Sequence, residues 1–494
     1  MRRFLGVLSA LLLCVGLLAA QAPADAGSPA PRPGTAHRFL VAPDGRVAIT
    51  AGVNMVFKRP PYAPDATGFS ADDAAFLARN GFTGVRLGVI WKAVEPRPGH
   101  YDDGYLRRIR RTTRMLAHHG IRTLLDFHQD LFNERFQGEG APDWAVLDDG
   151  VPDQPQAGFP DNYFVNEALN RAFDNFWADR AGPGGVGLVE RYAAAWRHVA
   201  RFLRGTPGVL GIDVFNEPWP GSLFERCLPA GCPLVDAEIQ AMTQKVLHAV
   251  RRVDPRTPVF YEPNVLFNDG VPSYVRPAGR RLGFSFHDYC DTAVVGSALG
   301  PAGTQSCRVT DDRTWQNMED QLRRTGATPL LTEFGATTDR ATLTGMVDRA
   351  ARHRTGWMYW AYCGCGDPTT TGPGAEQALV LDPAKAPRGP NVDHAKLRAL
   401  AVPHPALVAG TPRTYAFDRT TKVFTTSWTT ARAAGRGRFG QGARTRVAAP
   451  RVAYPHGYRM RVRGARVVSR PDAPWLVLAQ RAGVRRVTLT VLPR

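Results

Sequence analysis

Between residues 45 and 400, short apolar runs alternate with helix-like segments, and most of the runs end on, or lead directly into, a polar or charged side chain. The runs are Val47–Val53, Gly84–Val89, Arg122–Phe127, Val209–Phe215, Pro258–Glu262, Gly283–Phe286, Pro329–Thr332 and Trp357–Ala361. Helical periodicity occupies Ala71–Asn80, Tyr105–His119, Val189–Leu203, Ala237–Val253, Thr314–Thr325 and Arg340–Arg352. Ser70 followed three residues on by Asp73 reads as a capping box opening the first of these. Runs that are apolar throughout belong to strands covered on both faces, and helices between them make the strands parallel. Eight such units predict an α/β protein, a (β/α)8 TIM barrel with its helices outside. An open doubly wound sheet would carry a Gly-rich phosphate loop after its first strand, and none follows Val53.

The flanks read differently. Arg2 and Arg3 precede an apolar run from Phe4 to Ala20, and Ala24-Asp25-Ala26 offers a small-x-small cleavage site, so residues 1–26 are expected to be a secretory signal peptide. Export is therefore expected. Cys14 lacks the small residue that usually precedes a lipidated cysteine. Residues 27–40 begin Pro-, Gly- and Ala-rich and are expected to be a loose leader, with the barrel spanning 41–404. Pro403, Pro405 and Pro412 mark a boundary, beyond which residues 405–494 show short β-rich runs and predict a C-terminal β-sandwich.

Charge separates the two domains. The chain carries a formal +18, yet residues 405–494 hold 18 Lys and Arg against two acids, leaving the barrel near neutral. Only six of the 62 cations are Lys, so part of the bias is compositional, but such a bias acts on both domains alike. A strongly basic sandwich suits an anionic membrane, micelle or wall polymer. No nucleic-acid motif accompanies it. Six cysteines remain beyond Cys14, an even number that suits disulfides in an exported chain. Proximity favours Cys227 with Cys232 and Cys290 with Cys307, while a Cys363–Cys365 bridge would be strained. Neither paired Cys-x-x-Cys motifs nor a His cluster is present, so no metal is expected.

In a parallel barrel, chemistry sits where strands end. The ends here bring Arg86, Asp126-Phe127-His128-Gln129-Asp130, Asn216-Glu217-Pro218, His287-Asp288-Tyr289, Glu333-Phe334-Gly335 and Trp360 to one mouth. Two carboxylates across one cavity are what glycosidic cleavage requires: one protonates the leaving oxygen, the other attacks or activates water at the anomeric carbon. Glu262, in Tyr-Glu-Pro-Asn, is a rival carboxylate that binds substrate or braces the barrel.

This ordered set resembles the family 5 glycoside hydrolases. The resemblance rests on Arg86, His128, Asn216-Glu217, His287, Tyr289, Glu333 and Trp360, each on the expected strand. It implies Glu217 as acid/base, Glu333 as nucleophile, retention of configuration and no cofactor. It implies Asn216 on the sugar 2-hydroxyl and Trp360 as an apolar floor.

Further stretches are similar to the endoglycoceramidases: Gly52-Val53-Asn54-Met55-Val56-Phe57-Lys58, Gly138–Trp144, Asn216–Gly221, Trp357–Trp360 and Tyr454–Tyr458. That likeness implies a monomer that cleaves glycosphingolipids between glycan and ceramide, with Lys58 and Asp130 on the glycan. It also requires an apolar channel, for which Phe132, Phe136, Trp144, Phe159, Tyr163, Phe164, Trp219, Leu223 and Phe224 are candidates. A β-glucanase, a lipid or steryl β-glucosidase, or a glycan-binding protein without catalysis are the competing functions. The Cys363–Asp367 stretch fits none of these patterns, and the insertion Phe132–Tyr163 is this sequence's own in detail.

Overall fold

A computed structural model describes residues 34–36, 38–289, 301–370 and 374–494. The expected signal peptide and Cys290 lie outside them. Three short strands open the described chain: β1 (Gly34–Ala36), β2 (Phe39–Val41) and β3 (Val47–Ala48). Eight strands follow: β4 (Ala51–Met55), β5 (Gly84–Val89), β6 (Arg122–Phe127), β7 (Val209–Asp213), β8 (Val259–Tyr261), β9 (Leu282–His287), β10 (Thr328–Glu333) and β11 (Gly356–Tyr359). All eight are parallel, each pairs with its neighbours in chain order, and β11 closes on β4. The result is a TIM barrel whose strands are buried almost throughout.

Helices cover the barrel because their apolar positions fall on one stripe. In Asp103–His118, Leu106, Ile109, Thr113 and Leu116 are buried, and the Asp102 carboxylate caps the first turn by accepting from Gly104 N and Tyr105 N. The capping box at Ser70 forms, with Ser70 N donating to Asp73 Oδ2 at 2.7 Å. A further helix, Glu167–Trp177, follows the long insertion after β6 and had no counterpart in the sequence reading.

The remaining strands are β12 (His404–Val408), β13 (Thr411–Phe417), β14 (Phe424–Thr429), β15 (Arg444–Ala448), β16 (Tyr458–Arg463), β17 (Ala465–Val467), β18 (Trp475–Gln480) and β19 (Arg486–Pro493). They form a seven-stranded sheet, β1-β2-β3-β12-β15-β18-β17, facing a four-stranded sheet, β13-β14-β19-β16. Phe39, Val41, Val47, Phe424, Trp428, Leu476 and Leu489 share the core between them.

Two expectations are corrected here. The apolar run Val47–Val53 is two strands, β3 in the sandwich and β4 in the barrel. The leader expected to be loose, residues 27–40, instead supplies β1 and all but the last residue of β2 to that same sheet. Strands of two or three residues carry no readable period, and the strand that ties them to the sandwich, β12, pairs with β3 from some 360 residues away in sequence. The sandwich docks on the barrel through Trp475 Nε1, which donates to Ala78 O at 3.1 Å, and through Arg419, paired with Asp348 at 3.1 Å. Among the described residues, no helix is long and apolar enough to cross a membrane.

Candidate active site

Arg86, midway along β5 and fully buried, organises the floor of the mouth. Its Nε donates to Asp213 at 3.0 Å. Nη1 donates to Glu333 Oε1 at 2.5 Å and to Asn54 at 3.3 Å. Nη2 donates to Asn216 Oδ1 and Glu262 Oε1, both at 2.9 Å, with Asp126 at 3.0 Å. One cation thus faces four carboxylates. Burial, and then the charge of Glu262, push Asp213 well above the ordinary carboxylate range. Against burial, His287 and Arg86 hold Glu262 low and ionised.

Glu217 and Glu333 face one another across this floor. Oxygens of the two carboxylates and a nitrogen of His287 all lie within 4.8 Å of one another. Glu333 accepts from Tyr289 Oη at 2.8 Å as well as from Arg86. Burial raises its pKa, His287 and Arg86 oppose that shift, and the charge of Glu217 adds to it. Glu217 Oε1 accepts from Asn268 Nδ2 at 3.0 Å and bonds His287 Nδ1 at 2.8 Å. Burial disfavours charge on His287, but Glu333 and Glu262 outweigh it and push its pKa well above the ordinary imidazole value. Glu217 sits at φ +44°, a left-handed conformation that costs a non-glycine residue about 1–3 kcal/mol. Glu262 Oε2 holds that turn by accepting from Glu217 N at 2.9 Å. With its other oxygen on Arg86, Glu262 is a brace rather than a substrate ligand.

A second polar cluster lies beside Trp360. Lys58 Nζ donates to Asp130 at 2.5 Å and to Thr369 at 2.7 Å, reaches Asp367 at 3.1 Å, and stands 4.6 Å over the Trp360 ring. Burial works against the ammonium, but Asp130 and Asp367 keep it charged. His128 stacks on Trp360 at 5.2 Å and bonds Asp126 through Nδ1 at 2.7 Å. Burial opposes its protonation, yet Asp126 pushes the pKa up to about 10.

A cavity of about 280 Å³ joins these groups. Lys58, Asp130, His128, Trp360 and Gln377 form its polar side, and Phe159, Tyr163, Phe164, Trp219, Val265 and Leu266 its apolar side. Of the nine candidate aromatic and aliphatic residues, Phe159, Tyr163, Phe164 and Trp219 line it. Phe132, Phe136, Trp144, Leu223 and Phe224 do not. Phe132 packs on Phe173 and Phe176, Trp144 packs edge-on to Trp91, and Phe224 stacks on Trp219 from behind. These rings order the loops.

The structure thus gathers Lys58, Arg86, His128, Asp130, Asn216, Glu217, His287, Tyr289, Glu333 and Trp360 at one mouth. It adds residues that spacing alone did not single out. Gln129 Nε2 donates to Asn216 O at 2.9 Å, and Gln377 Oε1 accepts from Trp360 Nε1 at 3.0 Å. Asp367 and Thr369 come from the stretch after Trp360 that fitted no pattern. A Cys363–Cys365 disulfide, a bridge expected to be strained, shapes that stretch. The two Cα atoms lie 5.2 Å apart, within the ordinary disulfide range, and Cys365 at φ +46° turns the chain that follows. Cys227 is bonded to Cys232, and Cys307 is also disulfide-bonded. Gly138 lets the insertion return against β6, because a Cβ there would sit 1.9 Å from Asp130 O. Two carboxylate–imidazole groups could hold a cation, His128-Asp130-Glu139 and Glu217-His287-Glu333. In each, Lys58 or Arg86 with a charged imidazole already answers the carboxylates, leaving acid–base chemistry as what this donor set supplies.

A closed parallel barrel presenting two carboxylates this close, one on a buried cation and one on the cavity wall, defines a retaining glycoside hydrolase. Comparison with known proteins agrees. Residues 48–366 match the cellulase (glycosyl hydrolase family 5) model, and residues 403–491 match the glycoside hydrolase family 5 C-terminal domain. The chain is 34% identical over 438 residues to Endoglycoceramidase I of Rhodococcus hoagii (strain 103S), covering 87% of this chain and 82% of that one. It is 28% identical over 466 residues to Endoglycoceramidase of Hydra vulgaris, covering 85% and 80%. The solved Endo-glycoceramidase II from Rhodococcus sp., as its ganglioside GM3 complex, superposes with a TM-score of 0.75 at 27% identity, over 92% of this chain and 99% of that one. Its lactosyl-enzyme intermediate superposes at 0.73 and 28%, with the same coverage. The chain belongs to glycosyl hydrolase family 5, among the endoglycoceramidases.

Proposed function

We propose that this protein hydrolyses the β-glycosidic bond between an oligosaccharide and ceramide in glycosphingolipids, with retention, releasing both products intact. Glu333 attacks the anomeric carbon while Glu217 gives its proton to the ceramide oxygen. Water activated by Glu217 then opens the glycosyl-enzyme ester. Three features fit these roles. Arg86 and Tyr289 fix the attacking carboxylate by two hydrogen bonds. Glu217 is the more exposed carboxylate, its side chain 13% accessible against 5% for Glu333, so it can exchange protons with water. Asn216 is held through Oδ1 by Arg86 and through Nδ2 by Gln129 O, which leaves one Nδ2 hydrogen for a sugar 2-hydroxyl.

The carrying observation is the approach of the Glu217 and Glu333 carboxylates within 4.8 Å. Inverting enzymes need about 6.5–9.5 Å to admit water between the groups, whereas about 5–5.5 Å suits direct attack. The one-sided cavity supports an amphiphilic substrate: charged groups about Trp360 suit a glycan, and the Phe159–Trp219 wall suits alkyl chains. A glucan-cutting enzyme would need sugar-binding surfaces on both sides of the bond. The protein is exported, as the pattern of residues 1–26 supports, and acts as a monomer. Its basic second domain adds electrostatic attraction to anionic lipid surfaces, about 1 kcal/mol per nearby cation.

The test is product analysis by mass after incubation with a ganglioside and with a β-galactosyl ceramide in detergent. Intact glycan plus ceramide is expected. Single sugars, or turnover of soluble glucan alone, would refute the lipid reading. Glu333→Gln should abolish turnover of both lipids while the protein stays folded.

A further inference from the structure

Eight large apolar side chains stand exposed among the described residues, and five of them belong to loops at one edge of the mouth: Phe164, Val165, Leu228, Leu234 and Tyr274. These loops follow β6, β7 and β8. The five form a connected rim. Phe164, 49% exposed, also lines the cavity and packs on Trp219 and Phe224, at 5.4 and 5.6 Å between ring centres. Phe224 leads into the loop that the Cys227–Cys232 disulfide closes. That loop presents Leu228, 50% exposed, and is followed by Leu234, 73% exposed. Tyr274 joins it by donating to Ala230 O at 3.1 Å.

Such a rim costs solubility. It extends outward from the apolar wall of the cavity, on the side away from Lys58 and Trp360. We infer that this rim is a lipid-docking surface that enters the apolar layer of a bilayer or micelle. This rests on the glycolipid reading of the cavity. A sugar held at the polar end leaves its alkyl tails lying across Phe164, so the lipid phase holding those tails must meet the rim. The disulfide holds Leu228 ready, so little ordering entropy opposes insertion. The rim is apolar, so its contribution is insensitive to salt and to lipid charge, unlike that of the basic second domain.

The test uses the full chain with the Leu228→Ser/Leu234→Ser pair, both side chains lying outside the cavity. Three measurements are made: co-sedimentation with neutral phosphatidylcholine vesicles, turnover of a ganglioside embedded in them, and turnover of a soluble aryl β-lactoside. The pair should lose about tenfold or more in vesicle binding and in vesicle-borne turnover, with the soluble rate unchanged. Leu228→Trp, which enlarges the buried surface, should raise vesicle binding. Equal vesicle binding and turnover by wild type and the double variant overturns the inference, as does wild type that ignores neutral vesicles. A rim that instead joins two copies would show as a wild-type dimer that the double variant dissociates, with vesicle turnover unaltered, and this also overturns it. If wild type releases no ceramide even in detergent, the glycolipid reading itself has failed, a result distinct from any of these.

Discussion

Replacing Glu262 by Gln separates bracing from binding at the rival carboxylate. Its two oxygens each accept from a buried donor at 2.9 Å, Arg86 Nη2 on one side and Glu217 N on the other. Glutamine offers one acceptor and one donor, so its amide nitrogen must face a donor. A buried unsatisfied donor costs about 1–3 kcal/mol. Part of this is recovered, because Asp213, raised in part by the charge of Glu262, is then free to ionise against Arg86. A net loss near 2 kcal/mol follows, read as a fall of a few degrees in melting temperature. Catalysis should suffer more. The left-handed Glu217 backbone loses its anchor, and a displacement of about 1 Å at a reacting group costs about a hundredfold in rate. The expected result on a soluble aryl lactoside is kcat down about a hundredfold with KM within about threefold. A raised KM with kcat and melting temperature unchanged would mean that Glu262 contacts the sugar, and the bracing argument would be wrong.

Tyr289→Phe removes one of two donors to Glu333, whose pKa burial already raises. The nucleophile works ionised, so the acidic limb of kcat/KM should move to higher pH and the neutral rate should fall about tenfold; an unmoved limb refutes this. Lys58→Met leaves Asp130 and Asp367 buried without their cation, and should cost about 3–5 kcal/mol of stability and weaken glycan binding more than turnover of a simple aryl glycoside. Equal losses on both substrates would place Lys58 outside glycan recognition. His404 is buried, and burial lowers its pKa from 6.5 to about 4. Its neutral form is the folded one, so its contribution is complete above about 6.5 and falls away as pH drops toward 4. The loss reaches about 3 kcal/mol below that, measured as denaturant midpoints at pH 7 and 4. A His404→Gln variant should flatten the difference, and an unchanged slope would refute the assignment.

The barrel was legible because its signal repeats. Parallel strands buried on both faces must be apolar along their length, and β5 and β6 span the same residues as the apolar runs Gly84–Val89 and Arg122–Phe127. Nine of the ten named site residues could be gathered because strand ends in a barrel converge, so order along the chain becomes proximity, while Lys58 was named by the likeness to endoglycoceramidases. What stayed hidden depends on distant partners. β12 begins His404-Pro405, and proline argues against a strand, yet its register shifts after Pro405 to accommodate it. β15 reads Arg-Thr-Arg-Val-Ala, with charges that mask its burial between β12 and β18. Asp367 and Thr369 reach Lys58 through a turn made by the Cys363–Cys365 disulfide and a left-handed Cys365, and although both cysteines are visible in the sequence, the direction of that turn is not.

The same division runs through the energetics. A buried arginine facing Asp126, Asp213, Glu262 and Glu333 is a poor source of stability, since desolvation of the charges rivals their attraction. Left-handed non-glycine residues add cost, and they gather in loops after barrel strands: Tyr62 after β4, Leu131 and Phe132 after β6, Glu217 after β7, Ala336 after β10 and Cys365 after β11. The opposite end of the barrel supplies few. Strain and charge are therefore concentrated where the carboxylates must be aimed, and the apolar strands beneath hold them there. A site assembled for stability alone would have neither, which is why the departures from local rules, more than the rules themselves, mark the mouth as the working face.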